Sequence, residues 1–213
     1  MSQNIELLDT ILMKAPVIPV LTLTNSSNAV KVAKALAKGG LTSIEITLRT
    51  DCALDCIRKI SSEVPEVTVG AGTILSARQY EAAVNAGAHF AVSPGSTETL
   101  FNAAKSFQQC PLLPGVSTPT ETMQAAEKGY ERLKFFPALA SGGPSLLKAL
   151  AAPFPSLRFC PTGGITLANA KDFLALSNVL CVGGTWISET GAVDAQNWLK
   201  IEAHARKAAA LSP

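Results

Sequence analysis

Short apolar runs alternate along the chain with longer stretches in which apolar residues recur every three or four positions, the patterns of buried strands and amphipathic helices. Ile5, Leu8, Ile11 and Leu12 share one face of a helix predicted over residues 1–14, ahead of the alternation. Residues 17–21 then read as a strand, and residues 26–38 as a helix whose apolar face carries Val30, Ala33, Leu36 and Ala37 and which stops at Gly39-Gly40. The same order recurs at 42–48 and 52–60, 67–71 and 77–86, 89–92 and 98–107, 111–113 and 119–128, 132–136 and 145–151, and 157–160 and 168–175. A strand at 179–182 and a last helix over about 195–209 complete it. Ser76 with Gln79, and Thr118-Pro119-Thr120-Glu121, have the spacing of capping boxes at helix starts. No proline- or serine-rich linker divides the chain. About eight strand-helix units in one uninterrupted run predict an α/β fold: a single (β/α)8 TIM barrel over residues 1–213 with an extra N-terminal helix. An open doubly wound sheet is the alternative.

Composition narrows the partners. Hydrophobic residues make up 47% of the chain, charged residues 16%, and the formal net charge is +2. That is neither a disordered chain nor the basic field of a nucleic-acid binder, and it leaves small anionic ligands open. No run of about 18 apolar residues could span a membrane, and Glu6 and Asp9 set the opening helix apart from a signal peptide. Five cysteines without a CxxC pair fit free thiols in a reducing, cytoplasmic compartment better than a disulfide framework. With only His89 and His204, a histidine-rich metal site is hard to assemble, and neither metal nor cofactor is expected.

In a barrel of this kind the reacting groups come from the C-terminal ends of the strands and the loops that follow. Lys134 stands there, in Leu133-Lys134-Phe135-Phe136-Pro137, with Phe136 as an apolar wall. Burial disfavours the ammonium form of a lysine, which prepares an amine to attack a carbonyl carbon; the other reading is a surface lysine whose stem covers apolar residues. Period-two alternation in the second strand sends Glu45, Thr47 and Arg49 to one face and Ile44, Ile46 and Leu48 to the other. If the apolar face meets the helices, a carboxylate and a guanidinium point inward, as catalytic and carboxylate-binding groups or as a structural ion pair. The seventh and eighth strands lead into Thr162-Gly163-Gly164 and Gly183-Gly184-Thr185, where barrels often bind phosphate. Glycines there let backbone N–H groups approach an anion, the threonine hydroxyls can add bonds, and a following helix N-terminus would add positive potential. Two tight loops that need positive φ would carry the same residues. Gly70-Ala71-Gly72 lacks the third glycine of a dinucleotide fingerprint.

These residues, taken together, resemble one family: bacterial 2-keto-3-deoxy-6-phosphogluconate aldolase, also called the 4-hydroxy-2-oxoglutarate aldolase family. The resemblance rests on Glu45-Ile46-Thr47-Leu48-Arg49-Thr50, Val69-Gly70-Ala71-Gly72-Thr73, Lys134-Phe135-Phe136-Pro137 and Phe159-Cys160-Pro161-Thr162-Gly163-Gly164-Ile165, in the family's order. It implies a class I, metal-independent aldolase, a (β/α)8 barrel and a homotrimer. It also implies that Lys134 forms a Schiff base with a phosphorylated 2-keto acid, that Glu45 shuttles protons, and that Arg49 with Thr73 binds the keto-acid carboxylate. The chain departs at Gly184-Thr185-Trp186, where the family pattern has glycine-serine-tryptophan; the hydroxyl survives with an added methyl. Thr162 lies where the choice of hydroxyl stereochemistry would be made. Two other readings stay open on the residues alone: an isomerase or epimerase in which Lys134 acts only electrostatically, and a catalytically silent barrel that binds phosphorylated ligands.

Overall fold

Val17–Leu21 (β1) is flanked in space by Ser43–Thr47 (β2) and by Val182–Gly184 (β9), so the first strand hydrogen-bonds to the second and to the last. The structure is a computed structural model and describes residues 3–188 and 190–211. Residues 1 and 2 of the predicted opening helix, and residues 189, 212 and 213 of the predicted single unit, lie outside the described residues. Between those strands come Thr68–Gly72 (β3), Ala91–Val92 (β4), Leu112–Leu113 (β5), Gly115–Val116 (β6), Arg132–Phe135 (β7) and Arg158–Pro161 (β8). The helices are Ile5–Leu12 (α1), Ala29–Lys38 (α2), Ala53–Glu63 (α3), Ala77–Asn85 (α4), Glu98–Ala104 (α5), Pro119–Glu127 (α6), Gly143–Ala151 (α7), Ala170–Leu174 (α8), Thr190–Asp194 (α9) and Trp198–Ala209 (α10).

The strand pairs are parallel, in the orders β5-β4-β3-β2-β1-β9 and β6-β7-β8. The predicted fifth strand, 111–113, is β5, and the unpredicted β6 follows it past Pro114, which has no N–H to give to a ladder; β5 pairs with β4, and β6 with β7. Two isolated parallel bridges, Phe159 with Val179 and Thr162 with Gly183, run between β8 and the β9 segment. The result is an α/β fold with a parallel, curled sheet. The predicted last helix, about 195–209, is α10, which starts three residues later; an unpredicted 3-10 turn, Trp186–Ser188, and α9 precede it. Gln196, at φ 52°, breaks the run, and the Asn197 side chain accepts from Lys200 N to start α10.

Alternation along the strands sorts the core into two parts. Val17, Leu21, Ile44, Ile46, Val69, Leu133 and Phe135 face outward and join Leu36, Ile57, Ile60, Tyr80, Leu147 and Phe173 of the helices in one cluster. Inward positions near the strand starts, Ile18, Phe90, Val92, Leu113, Cys160 and Cys181, pack with Leu8, Ile11 and Leu12 of α1 in a second. Thus α1 lies across that end of the sheet. Ser43 Oγ donates to the Ile11 carbonyl at 2.9 Å, and Arg132 holds Asp9 through two bonds of 2.6 and 2.7 Å. Gln3 is a latch: its Nε2 donates to Leu112 O and Arg132 O, and its Oε1 accepts from Glu131 N and Arg132 N. One buried amide therefore joins β5 to β7.

Candidate active site

Lys134 is the inward residue of β7, because its neighbours Leu133 and Phe135 face the helices. It is 5% exposed; its Nζ lies 3.4 Å from Glu45 Oε1 and 5.3 Å from the centre of the Phe136 ring. Glu45, 4% exposed, occupies the inward side of β2 between Val20 of β1 and Gly70 of β3. Its carboxylate lies against Gly72, where a Cβ would collide with it. The bare backbone of Gly72 makes the room that lets Glu45 meet Lys134.

Arg49 stands apart from this pair. The strand ends at Thr47, so the predicted alternation does not carry on to Arg49, which sits exposed in the following turn. Its Nε donates to Thr73 Oγ1 at 3.1 Å. Thr73 has φ 61°, a left-handed conformation that is uncommon outside glycine and that clusters at functional sites. The structural ion pair between Glu45 and Arg49 that the sequence left open is not formed; Glu45 pairs with Lys134.

A cavity of about 220 Å³ opens above Lys134. Of the residues expected at the site, Arg49, Lys134, Phe136, Thr162, Gly163, Gly164 and Thr185 line it. Glu45, Thr73 and Gly184 are not in its wall: Glu45 contacts Lys134, Thr73 accepts from Arg49, and Gly184 backs onto the Trp186 ring. Gly183 lines the cavity in place of Gly184, and a Cβ there would strike the Thr162 hydroxyl. Gly163 and Gly164 have φ of 107° and 75°, which side chains avoid, and a Cβ on Gly164 would come within 2.7 Å of Leu139 Cβ. The expected helix dipole behind this loop is weak, since α8 begins only at Ala170 and has five residues. A larger cavity, about 350 Å³, lies by Thr166, Trp186, His204 and Lys207. It holds no carboxylate-amine pair, so the smaller one is the candidate site.

The family model described as "Aldolase: KDPG and KHG aldolase" matches residues 8–204. This chain belongs to the KDPG and KHG aldolase family. The KHG/KDPG aldolase of Escherichia coli is 48% identical over 200 residues, 94% of this chain and 93% of that one. A crystal structure of KDPG aldolase from Legionella pneumophila, with pyruvate captured at low pH as a covalent carbinolamine intermediate, superposes with a TM-score of 0.92 at 39% identity, covering 95% of this chain and 98% of that one. The 2-keto-3-deoxy-6-phosphogluconate aldolase of Zymomonas mobilis, with 3-phosphoglycerate, gives a TM-score of 0.89 at 44% identity, covering 95% and 94%.

Family membership makes the chain a carbon-carbon lyase. Ile165 and Gly183, which stand in the motifs without an expected role, and Val20 and Thr22, which no motif contains, also line the cavity of this KDPG and KHG aldolase family member. Val20 and Thr22 follow from carrying the period-two alternation along β1, a signal present in the sequence.

Proposed function

We propose that this chain cleaves 2-keto-3-deoxy-6-phosphogluconate to pyruvate and glyceraldehyde 3-phosphate, and 4-hydroxy-2-oxoglutarate to pyruvate and glyoxylate, as a metal-independent class I aldolase with Lys134 as the Schiff-base residue. The observation that carries this reading is one buried amine against one buried carboxylate, Lys134 Nζ 3.4 Å from Glu45 Oε1, beneath a cavity whose other polar groups suit anions. The pyruvate carbinolamine of the Legionella relative and the 3-phosphoglycerate of the Zymomonas relative support a keto-acid end and a phosphate end.

Transfer of one proton from Lys134 to Glu45 leaves a neutral amine, which attacks carbon two of the keto acid to give a carbinolamine. The protonated Glu45 returns its proton to the departing hydroxyl, water leaves, and an iminium ion remains. Glu45 then takes the proton of the carbon-four hydroxyl as the bond between carbons three and four breaks. The bonding electrons enter the iminium, which becomes an enamine, and the aldehyde is released. Protonation of the enamine at carbon three and hydrolysis of the imine release pyruvate and restore Lys134. Arg49, steadied by Thr73, pairs with the carboxylate. Phe136 walls the imine, Thr162 contacts the hydroxyl-bearing chain, and Gly163, Gly164, Gly183 and Thr185 receive the phosphate.

The same reading takes residues 1–213 as one domain, with the sheet closed into a complete (β/α)8 barrel and α1 as its extra helix. The bridges between β8 and the β9 segment and the Gln3 latch between β5 and β7 support closure. It also takes a homotrimer, on the family resemblance, in the cytoplasm, where five free thiols are at home. The test is borohydride reduction with pyruvate in the presence of a chelator, followed by mass spectrometry of the peptides. A pyruvyl adduct on Lys134 is the expected result; an unmodified Lys134 in protein that cleaves either substrate overturns the imine at Lys134.

A further inference from the structure

Strand β1 stands between β2, which carries Glu45, and β9, which leads into Thr185. Val20 points inward from β1, and the next inward position is Thr22, just past the strand end, whose side chain lines the same cavity as Lys134, Arg49 and Thr162. Neither the mechanism nor the motif resemblance uses Thr22.

Its hydrogen-bonding sense is set by counting protons. A threonine hydroxyl has one proton to donate and lone pairs that accept. Thr47 Oγ1, in a residue only 1% exposed, lies 3.1 Å from the Leu21 carbonyl oxygen; a carbonyl can only accept, so the Thr47 proton is spent there. Thr47 Oγ1 is also 2.8 Å from Thr22 Oγ1, a contact in which either hydroxyl can donate, and the Thr47 bond to Leu21 favours Thr22 as the donor. Thr22 is left with lone pairs toward the cavity. Such an oxygen repels carboxylate and phosphate oxygens and accepts from a hydroxyl, which sets it apart from the other polar side chains of the wall: Arg49 and Lys134 donate, and Thr162 and Thr185 are free to do either.

We infer that Thr22 is a specificity-determining residue that accepts a hydrogen bond from the carbon-five hydroxyl of a phosphorylated six-carbon 2-keto acid. The inference rests on the aldolase reading above. With carbon two on Lys134 and the phosphate at the Gly163-Gly164 and Thr185 end, the carbon-four hydroxyl surrenders its proton to Glu45, and the carbon-five hydroxyl is the donor that remains. In 4-hydroxy-2-oxoglutarate carbon five is a carboxylate carbon with acceptor oxygens only. Thr22 therefore favours the phosphorylated substrate.

The experiment runs the reaction as a condensation. Pyruvate is offered glyceraldehyde 3-phosphate, whose hydroxyl becomes that of carbon five, and separately the analogue of the aldehyde that lacks this hydroxyl but keeps the phosphate. For wild type, Thr22→Val and Thr22→Ser, the ratio of kcat/KM for the two aldehydes is measured. The expected result is a ratio about 5–10-fold smaller in Thr22→Val, the worth of one neutral hydrogen bond, and within about 2-fold of wild type in Thr22→Ser. An equal fall for both aldehydes, an unchanged ratio, or a serine variant that behaves as the valine one overturns the assignment. Borohydride trapping of pyruvate on wild-type Lys134 separates the two levels. A wild type that forms no adduct fails the aldolase reading and this inference with it, whereas an adduct with an unmoved ratio fails the role of Thr22 alone.

Discussion

Lys134 and Glu45 were each legible from local sequence, as an amine among aromatic residues and as a charge on the inward face of an apolar strand. Their pairing was not. Alternation gave Glu45 two candidate companions, and the end of β2 at Thr47 removed Arg49 from the row, leaving it free to hold Thr73. The buried pair makes the role of Glu45 testable: Glu45→Gln keeps the shape and loses the base. Turnover is expected to fall by roughly 10²–10⁴-fold, the usual worth of a positioned acid-base group, while pyruvate affinity, read by calorimetry, changes far less. Near-normal turnover would remove Glu45 from the proton path. Gly72→Ala probes the same contact from beneath, since its methyl would displace the carboxylate from Lys134; activity is expected to drop with the circular dichroism spectrum retained.

The helix starts were read correctly where their signals were complete. Thr118 Oγ1 accepts from Glu121 N, and Glu121 Oε2 accepts from Thr118 N, Ser117 N and Ser117 Oγ, a full capping box for α6. At α4 only half of the box forms, because Gln79 Oε1 reaches back to Leu75 N instead of Ser76 N. Burial raises the Glu121 pKa, but the bonds from Ser117 and Thr118 outweigh it and hold the carboxyl below its ordinary value of 4.5. The sign follows: this stabilisation is fully present above the ordinary value and is lost as pH falls through the lowered one. Thr118→Ala is expected to cost about 1 kcal/mol in urea unfolding at pH 7. Glu121→Gln should also destabilise at pH 7, and its deficit should shrink as the acid limb is approached; a deficit independent of pH would count against the charged cap. The 3-10 turn Trp186–Ser188 and the five-residue α9 were not predicted, since elements this short show no apolar period.

Across the whole molecule, the opening segment does more than cover one end. Gln3, 7% exposed, supplies both donors and an acceptor to backbone groups of β5 and β7, whose segments are separated in the sequence by α6. Gln3→Leu keeps the apolar contacts of α1 and strands those groups without partners. The expected loss is roughly 1–3 kcal/mol per buried group left unsatisfied, read as a lower urea midpoint. A midpoint equal to wild type would mean that β5 and β7 are held by the other contacts alone. Among the described residues no helix is long and apolar enough to cross a membrane.

The sequence by itself determined the repeating strand-helix order, the face that each strand side chain takes and the capping of α6, and it marked Lys134 as the candidate amine, because these depend on periodicity and on neighbours a few residues away. Tertiary structure decided which strands stand together. It set Lys134 of β7 beside Glu45 of β2, 89 residues earlier, joined Thr22 to Thr47 across 25 residues, and carried Gln3 to the far side of the chain at Arg132. Alternation fixes a side chain's direction but not its partner. The partner is set by strand order and register, which arise only when the outward apolar faces are buried together under the helices.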